Sequence, residues 1–433
     1  MVASAGDALG LYFSIPFCRS KCTYCNFASG VYPASEHARY VDRLIADMQA
    51  AGAWAAEMGV ELPRHVDTVY LGGGTPSLLA PDLLWRLFAA MRKEFDLDRD
   101  AEITVECAPG QLSDATLAAL VAAGVNRVSL GVQSFIDSEA ALSGRLHNRA
   151  IVLADVMRLR ASRITNLNID LIAGLPGQTF ASWRESLMVM TSLADAGLPH
   201  ASVYMLEVDD DSRLGREVLA HGARYHADLV PTDDAIVRMY EQAIETLADA
   251  GLEQYEISNF CRTGFRSRHN LRYWQRRPYL GLGLDASSML SGAPSTRRSS
   301  GEWVRNHKQQ QESLNEKDIL PTRTLRSTTT SELNAYLDGA EPVETTSLTP
   351  EQQHEEAWFL GLRMNSGVDI SAIEQEFGPA LVAPALKVVS RLVEDGLLIS
   401  DGKTVRLTAQ GRLLSNDVFQ EFLELNSESC PKK

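Results

Sequence analysis

The chain has 433 residues, of which 45% are hydrophobic and 22% charged, and its formal net charge at pH 7 is −15. This length predicts two or three domains, and the composition is typical of a soluble globular protein. The acidic balance argues against nonspecific attraction to nucleic acid, and the longest apolar run, residues 115–125, is too short to span a membrane. Because the first residues lack the basic and apolar parts of a signal peptide, we expect a cytoplasmic protein.

Strand-like and helix-like segments alternate along the chain as far as about residue 290. Between the strands lie helix-like segments, of which residues 35–58, 83–95 and 113–124 are the clearest. This alternation predicts an α/β fold with a parallel sheet or barrel, and functional loops are expected after the carboxyl ends of its strands. The predicted strands are residues 11–17, 67–74, 102–109, 125–134, 166–177, 200–207 and 252–260.

Two changes in pattern divide the rest of the chain. Residues 294–330 are polar without an apolar period, which predicts an exposed or mobile insertion. After residue 349, three helix-like segments precede a hairpin, an order that predicts a winged-helix-like unit. Residues 351–424 hold six basic and twelve acidic residues, so this unit is expected to pack rather than to bind nucleic acid. The predicted domains are 1–290 (barrel), 291–349 (polar insertion or linker) and 350–433 (C-terminal domain).

Three cysteines cluster near the start of the chain, in the segment IPFCRSKCTYCNF that spans residues 15–27. A structural zinc site usually has four ligands, and no second C-x-x-C pair occurs. A thioredoxin-like redox pair would leave Cys18 without a role. A [4Fe–4S] cluster held by only three thiolates would leave one iron open to a chelating cofactor, for which S-adenosylmethionine is suited.

The C-x3-C-x2-C spacing, with an aromatic residue before the last cysteine, resembles the signature of the radical S-adenosylmethionine superfamily. The resemblance implies a [4Fe–4S] cluster on Cys18, Cys22 and Cys25, with the backbone of Tyr24 near the adenine of S-adenosylmethionine. It also implies a partial (β/α)6 barrel related to the TIM barrel, here followed by the winged-helix-like domain.

Further matches to this superfamily continue along nearly the whole chain, as far as LTAQGRLLSNDVFQEFL near its end. In YLGGGTPSLL, Gly73, Gly74 and Thr75 match residues that hold the amine and carboxylate of the cofactor's methionine. The branch that contains oxygen-independent coproporphyrinogen III dehydrogenase has further cofactor contacts, to the ribose, the sulfonium region and the carboxylate. The matching positions in this chain are Tyr12, Glu106, Gln133, Arg145 and Asp170.

Within that branch the motifs favour a carrier over the dehydrogenase. The dehydrogenase has an extra cysteine where this chain has Phe27, and it has a longer N-terminal extension. Instead, SRHNLRYW (residues 267–274) resembles the HNxxYW motif of the HemW heme chaperones, which makes His269 the candidate axial ligand of heme. The alternative is that His269 fixes its loop by hydrogen bonds. A second chaperone motif, GLGxGAH, is here GLGLDASS, and its Asp285 is no ordinary heme ligand.

These patterns lead to one functional hypothesis and two alternatives. The chain is predicted to bind a [4Fe–4S] cluster, S-adenosylmethionine and heme, and to transfer heme to an acceptor protein. The alternatives are an enzyme that acts on a porphyrin, by oxidative decarboxylation or by modification of heme, and a scaffold with a structural cluster. The expected partners are heme, an acceptor protein, for which a membrane-associated protein is one option, an electron donor for the cluster and a second copy of the chain.

Overall fold

A computed structural model of the chain describes residues 8–292, 323–339, 344–423 and 425. The strands in these ranges are β1 (Leu9–Ile15), β2 (His65–Gly73), β3 (Asp96–Cys107), β4 (Arg127–Gln133), β5 (Asn166–Ala173), β6 (His200–Met205), β7 (Glu253–Gln254), β8 (Asn259–Cys261), β9 (Tyr279–Gly283), β10 (Ser287–Ser291), β11 (Thr324–Thr328), β12 (Glu344–Leu348), β13 (Val368–Asp369), β14 (Leu398–Ser400) and β15 (Thr404–Leu407). The α-helices are α1 (Ala34–Glu57), α2 (Pro81–Glu94), α3 (Asp114–Ala122), α4 (Asp137–Leu142), α5 (Arg149–Ala161), α6 (Phe180–Asp195), α7 (Arg213–Leu219), α8 (Asp233–Asp249), α9 (Arg268–Trp274), α10 (Leu333–Asp338), α11 (Pro350–Leu362), α12 (Ile370–Phe377), α13 (Pro379–Glu394), α14 (Ala409–Leu413) and α15 (Ser415–Leu423).

The main sheet has the strand order β12-β11-β10-β9-β1-β2-β3-β4-β5-β6-β8-β7. Strands β1 to β6 are parallel to one another, β9 is parallel to β1, and one or more helices follow each of the first six strands. Helices cover the outer face of this sheet, so most positions of strands such as β1, β4 and β5 are buried. The predicted α/β fold with six strand–helix repeats is confirmed.

The sheet continues beyond residue 290 through strands that sequence analysis did not predict. Strands β10, β11 and β12 pair antiparallel in succession at one end of the sheet. Residues 293–322, which make up most of the predicted polar insertion, lie outside the described residues. The described part of the 291–349 interval therefore contributes two strands and helix α10 to the main body of the protein.

The C-terminal residues form a separate small core. Helices α11, α12 and α13 are followed by the hairpin β14–β15, and β13 joins it in a sheet of order β13-β15-β14. Trp358 and Phe422 are fully buried there, with their rings stacked at a centroid distance of 5.3 Å. This order of helices and strands matches the predicted winged-helix-like unit. None of the helices in the described ranges combines the length and the apolar character that a membrane span requires.

Helix α11 connects the two ends of the main sheet. At its start, Gln353 accepts a hydrogen bond of 3.0 Å from the Thr324 hydroxyl of β11. Beyond its end, the carbonyl oxygen of Arg363 accepts a hydrogen bond of 3.2 Å from the backbone N–H of Ile257, in the loop between β7 and β8. A helix of this length spans about 20 Å, so one element holds β11 and the β7–β8 loop at a set separation.

Candidate cofactor site

The carboxyl ends of the parallel strands surround a cavity of about 450 Å³. Parallel strands place the residues that follow them at one edge of the sheet, which is why positions far apart in sequence meet there. Of the predicted site residues, all except Tyr12 and His269 line this cavity. The predicted residues that line the cavity are Cys18, Cys22, Tyr24, Cys25, Gly73, Gly74, Thr75, Glu106, Gln133, Arg145 and Asp170.

The cysteine loop is held in place by backbone hydrogen bonds at its base and at its centre. The N–H of Cys18 donates to the carbonyl of Gly30 at 2.8 Å. At the centre, the N–H of Thr23 donates to Ser143 at 3.1 Å, and the carbonyl of Thr23 accepts from Leu214 at 2.8 Å. These hydrogen bonds tie the loop to the segments around Gly30, Ser143 and Leu214.

The spacing of the three thiols fits a multi-iron cluster better than a single metal ion. Their sulfur atoms are not all within 4.8 Å of one another. Around one tetrahedral zinc, with Zn–S bonds of about 2.3 Å, sulfur atoms would lie about 3.8 Å apart. In a cuboidal cluster each thiolate binds a different iron, which requires a wider spacing. Hydroxyl groups lie near two of the sulfurs, Thr75 at 4.0 Å from Cys18 and Ser29 at 3.9 Å from Cys25.

The glycine loop after β2 packs directly against the start of the cysteine loop. The N–H of Gly74 donates to Ile15 and that of Thr75 donates to Phe17, both at 2.8 Å. A Cβ atom on Gly74 would lie 2.8 Å from the backbone of Pro16 and Phe17, so only glycine allows this approach. Because both N–H groups already donate to carbonyls at the start of the cysteine loop, we infer that the glycine loop supports the cysteine loop.

Glu106 lies at the end of β3 with a polar partner for each carboxylate oxygen. Tyr70 donates to one oxygen at 2.8 Å, and the N–H of Gly73 donates to the other at 3.2 Å. Burial and the nearby charge of Asp170 outweigh these hydrogen bonds and raise the pKa of Glu106 to about 7. This carboxylate therefore titrates near neutral pH, unlike an ordinary surface glutamate.

Asp170 and Arg145 occupy the neighbouring part of the cavity wall. The Asp170 carboxylate accepts hydrogen bonds from Ser129 at 2.9 Å and from Asn168 at 2.7 Å. The Arg145 guanidinium donates to the carbonyl of Gly131 and, at 3.4 Å, to the sulfur of Cys22. Arg145 therefore places a positive charge beside one of the three predicted cluster ligands.

Gln133 enters the cavity through an irregularity in β4. The β4–β5 register shifts between Gly131 and Gln133, and Gln133 has a φ angle of 70°, in the left-handed region. Its side-chain oxygen is buried and has no hydrogen-bond partner among the described residues. Backbone strain of this kind is typical of ligand sites, and a buried acceptor without a donor indicates where a ligand group is expected.

His269 lies below the cavity, in the interior of the barrel. Its side chain is only 1% exposed, and burial lowers its pKa to about 3. One ring nitrogen is 3.0 Å from the Thr68 hydroxyl, and the other is 2.8 Å from the Tyr273 hydroxyl. The ring stacks on Tyr70, the residue that donates to Glu106, and Tyr12 lies beside both rings. Both ring nitrogens are therefore occupied, and iron could bind His269 only if Thr68 or Tyr273 gave up its hydrogen bond.

The site also contains residues that sequence analysis did not single out. Tyr70 does not line the cavity but donates to Glu106, and its position two residues before the glycine motif was a usable signal. Tyr204, within β6, and Glu207, just after β6, line the cavity. Arg363 lines it from the C-terminal domain, far away in sequence, and no local motif marks it.

Comparison with known proteins places the chain in a family. The Radical SAM superfamily model matches residues 12–190, and the HemN C-terminal domain model matches residues 348–414. A protein named heme chaperone HemW from Lactococcus lactis is 32% identical over 95% of this chain and 96% of its own length. A protein of the same name from Bacillus subtilis is also 32% identical, over 95% of this chain and 98% of its own length.

A solved structure supports the fold. The structure of coproporphyrinogen III oxidase (HemN) from Escherichia coli superposes with a TM-score of 0.75, covering 96% of this chain and 90% of that one, at 24% identity. The superfamily implies a [4Fe–4S] cluster and S-adenosylmethionine, which agrees with the three-thiol cavity described above. The chain belongs to the HemW family of heme chaperones within the radical SAM superfamily.

Proposed function

We propose that this chain is a heme carrier that binds heme and passes it to an acceptor protein in the cytoplasm. The observation that carries the proposal is the match, over 95% of the chain, to relatives named heme chaperone. Phe27 supports it, since the porphyrin dehydrogenase of this branch has a further cysteine at that position. The proposed partners are heme, its acceptor protein and an electron donor for the cluster.

In this proposal Cys18, Cys22 and Cys25 hold the [4Fe–4S] cluster, and the cavity beside them holds S-adenosylmethionine. The cluster would supply an electron and one open iron coordination position. The chain's own residues bind and orient the cofactor: Glu106 and Asp170 offer acceptors for hydroxyl groups, and the Gln133 oxygen offers a further acceptor. Arg145 provides a positive charge near the predicted position of the cofactor carboxylate.

The function predicts a specific result in an anaerobic titration of the cluster-loaded protein with heme. We expect saturable one-to-one binding in optical spectra and an unchanged porphyrin mass, with or without S-adenosylmethionine. A porphyrin product that forms only with S-adenosylmethionine and reductant would contradict the carrier and identify an enzyme. A chain that binds neither heme nor S-adenosylmethionine after cluster loading would be a scaffold.

Heme ligation by His269 stays a prediction, and the same titration tests it. If His269 ligates iron, His269→Ala keeps its cluster but binds heme more weakly and with a changed heme spectrum. If His269 instead fixes the barrel interior through Thr68 and Tyr273, the variant loses stability and cluster content together. Tyr273→Phe, which frees one ring nitrogen without removing the imidazole, separates the two roles.

The raised pKa of Glu106 predicts that cofactor affinity depends on pH. Only the ionised carboxylate accepts two hydrogen bonds from a ribose, so binding should strengthen as pH rises through about 7. Between pH 6 and pH 8 the ionised fraction rises about tenfold for this pKa, and we expect a similar rise in S-adenosylmethionine affinity, measured by calorimetry. Glu106→Gln should bind more weakly, without this pH dependence.

The control for this titration is Asp170, whose negative charge faces Glu106 and raises its pKa. In Asp170→Asn the midpoint of the pH dependence should therefore move below 7. Tyr70 also faces Glu106, but burial raises its pKa further above its ordinary value, so it stays protonated over this range. An unchanged midpoint in Asp170→Asn would show that another group controls the pH dependence.

A further inference from the structure

Arg363 is a half-buried cation without an ion pair at the mouth of the cofactor cavity. It is the lining residue that comes from the C-terminal domain, while the other lining residues belong to the barrel. Within the described part of the chain, its guanidinium makes no salt bridge or hydrogen bond, and its Nε atom is fully buried. A partly buried guanidinium has lost some of its water without gaining an anion, which is unfavourable unless a ligand supplies one.

The other two cations of the cavity are already engaged. Arg145 donates to Gly131 and Cys22, and Lys21 donates to the carbonyl of Phe27 at 3.1 Å. Of these three lining cations, Arg363 is therefore the one whose side chain has no hydrogen-bond or ion-pair partner within the described residues.

The position of Arg363 is fixed although its charge is unpaired. Its carbonyl accepts from Ile257, and Met364 forms a β-bridge with Glu256, so the backbone on either side of the guanidinium is tied to the barrel. The guanidinium carbon lies over the ring of Trp274, 4.3 Å from the ring centroid. Stacking on an aromatic ring orients the planar group while leaving its N–H groups at the edge free to donate.

The charges around Arg363 leave it able to attract an anion. Burial lowers the pKa of Arg363, with Glu256 and Glu207 acting in the opposite direction, but arginine stays protonated at any physiological pH. Burial raises the pKa of Glu256, which disfavours its charged form. Glu207 is exposed and solvated. A carboxylate from a ligand would therefore compete for Arg363 mainly with Glu207, which water already solvates.

The rim of the same cavity is apolar and open. Phe27 is 60% exposed and Leu146 is 61% exposed, and both line the cavity. A ligand that covers these side chains while reaching Arg363 combines a broad apolar body with an anionic substituent. A tetrapyrrole with propionate groups has this chemistry, since its macrocycle is apolar and its two propionates are carboxylates.

We propose that Arg363 binds a propionate of the tetrapyrrole at the mouth of the cavity, so that the C-terminal domain takes part directly in heme binding. This inference rests on the proposed carrier function. It assigns the heme contact to the space between the two domains, next to the cofactor cavity, and it gives Trp274 the role of positioning Arg363.

The test compares heme with its dimethyl ester, in which both propionates are uncharged, using the full-length, cluster-loaded protein. We expect Arg363→Gln to weaken heme binding by about tenfold or more, the range for a charge-assisted hydrogen bond. The wild type should bind the ester with a similar loss, and Arg363→Gln should bind heme and ester equally. Arg391→Gln, which removes an exposed arginine of the same domain, should leave both affinities unchanged.

Four outcomes would overturn the assignment. Equal affinities of the wild type for heme and ester would show that no cation of the chain pairs with a propionate. This comparison uses the wild-type protein alone. An Arg363→Gln variant that loses the same affinity for both would have a structural defect instead. A loss of S-adenosylmethionine affinity with unchanged heme affinity would assign Arg363 to the cofactor. A wild type that binds neither heme nor ester would overturn the carrier function as well.

Discussion

Replacement of Cys22 by alanine is expected to give a folded protein that holds almost no iron. A [4Fe–4S] cluster held by only two of its three thiolates loses iron readily, so iron should fall from about four atoms per chain to nearly none. The fold should survive because backbone hydrogen bonds at Cys18 and Thr23 hold the loop independently of the cluster. Iron analysis and visible absorbance after anaerobic reconstitution measure the loss, and circular dichroism checks the fold.

Cys261 provides the matched control for this experiment. It is also a buried thiol, but it lies in β8 and does not line the cofactor cavity. Cys261→Ala should therefore keep its full iron content. Retention of iron in Cys22→Ala, or its loss in Cys261→Ala, would mean that the cluster is bound elsewhere.

Replacement of Arg272 by methionine is expected to produce a large loss of stability. Arg272 is fully buried, forms an ion pair with Asp67, and donates to the carbonyls of Ala8 at 2.6 Å and Pro278 at 2.9 Å. Methionine fills similar space but leaves a buried carboxylate and two carbonyls without this donor. Breaking such a pair typically costs about 3–5 kcal/mol of the free energy of unfolding, which urea denaturation measures.

The exposed ion pair between Arg391 and Glu421 serves as the comparison for the buried pair. Arg391 and Glu421 have side chains that are 53% and 43% exposed, so Arg391→Met should cost less than about 1 kcal/mol. Arg268 and Arg277 also lie near Asp67, at 3.4 and 3.3 Å. Because they still pair with the Asp67 carboxylate in Arg272→Met, we expect a loss of unfolding free energy in the lower part of the range of about 3–5 kcal/mol. Equal losses in the two variants would show that Arg272 contributes only as a surface charge does.

The parallel part of the fold could be predicted because its strands carry their signal locally. Strand β1 is buried at every position except Tyr12, and this apolar run is visible without knowledge of its neighbours. Strands β11 and β12 gave no such signal. Residues 324–328 read TLRST and 344–348 read ETTSL. These polar sequences become strands because β10 offers an edge to β11, and β11 in turn offers an edge to β12.

The candidate site likewise contains some residues that sequence analysis could identify and others that it could not. Cys18, Cys22 and Cys25 could be recognised by spacing alone, since their ligand geometry is built into one loop. Arg363 could not, because its significance depends on Trp274 and on the missing ion pair, both of which arise only when the two domains pack together. The near-neutral pKa of Glu106 was equally hidden, because it follows from burial and from an aspartate 64 positions away in sequence.

Helix α11 links the two ends of the open main sheet. The sheet ends at β12 on one side and at β7 on the other, and the helix joins these ends through the Gln353 side chain and the Arg363 backbone. The same helix places the Arg363 guanidinium at the cavity. The propionate contact proposed for Arg363 therefore depends on the same helix that links β11 to the β7–β8 loop.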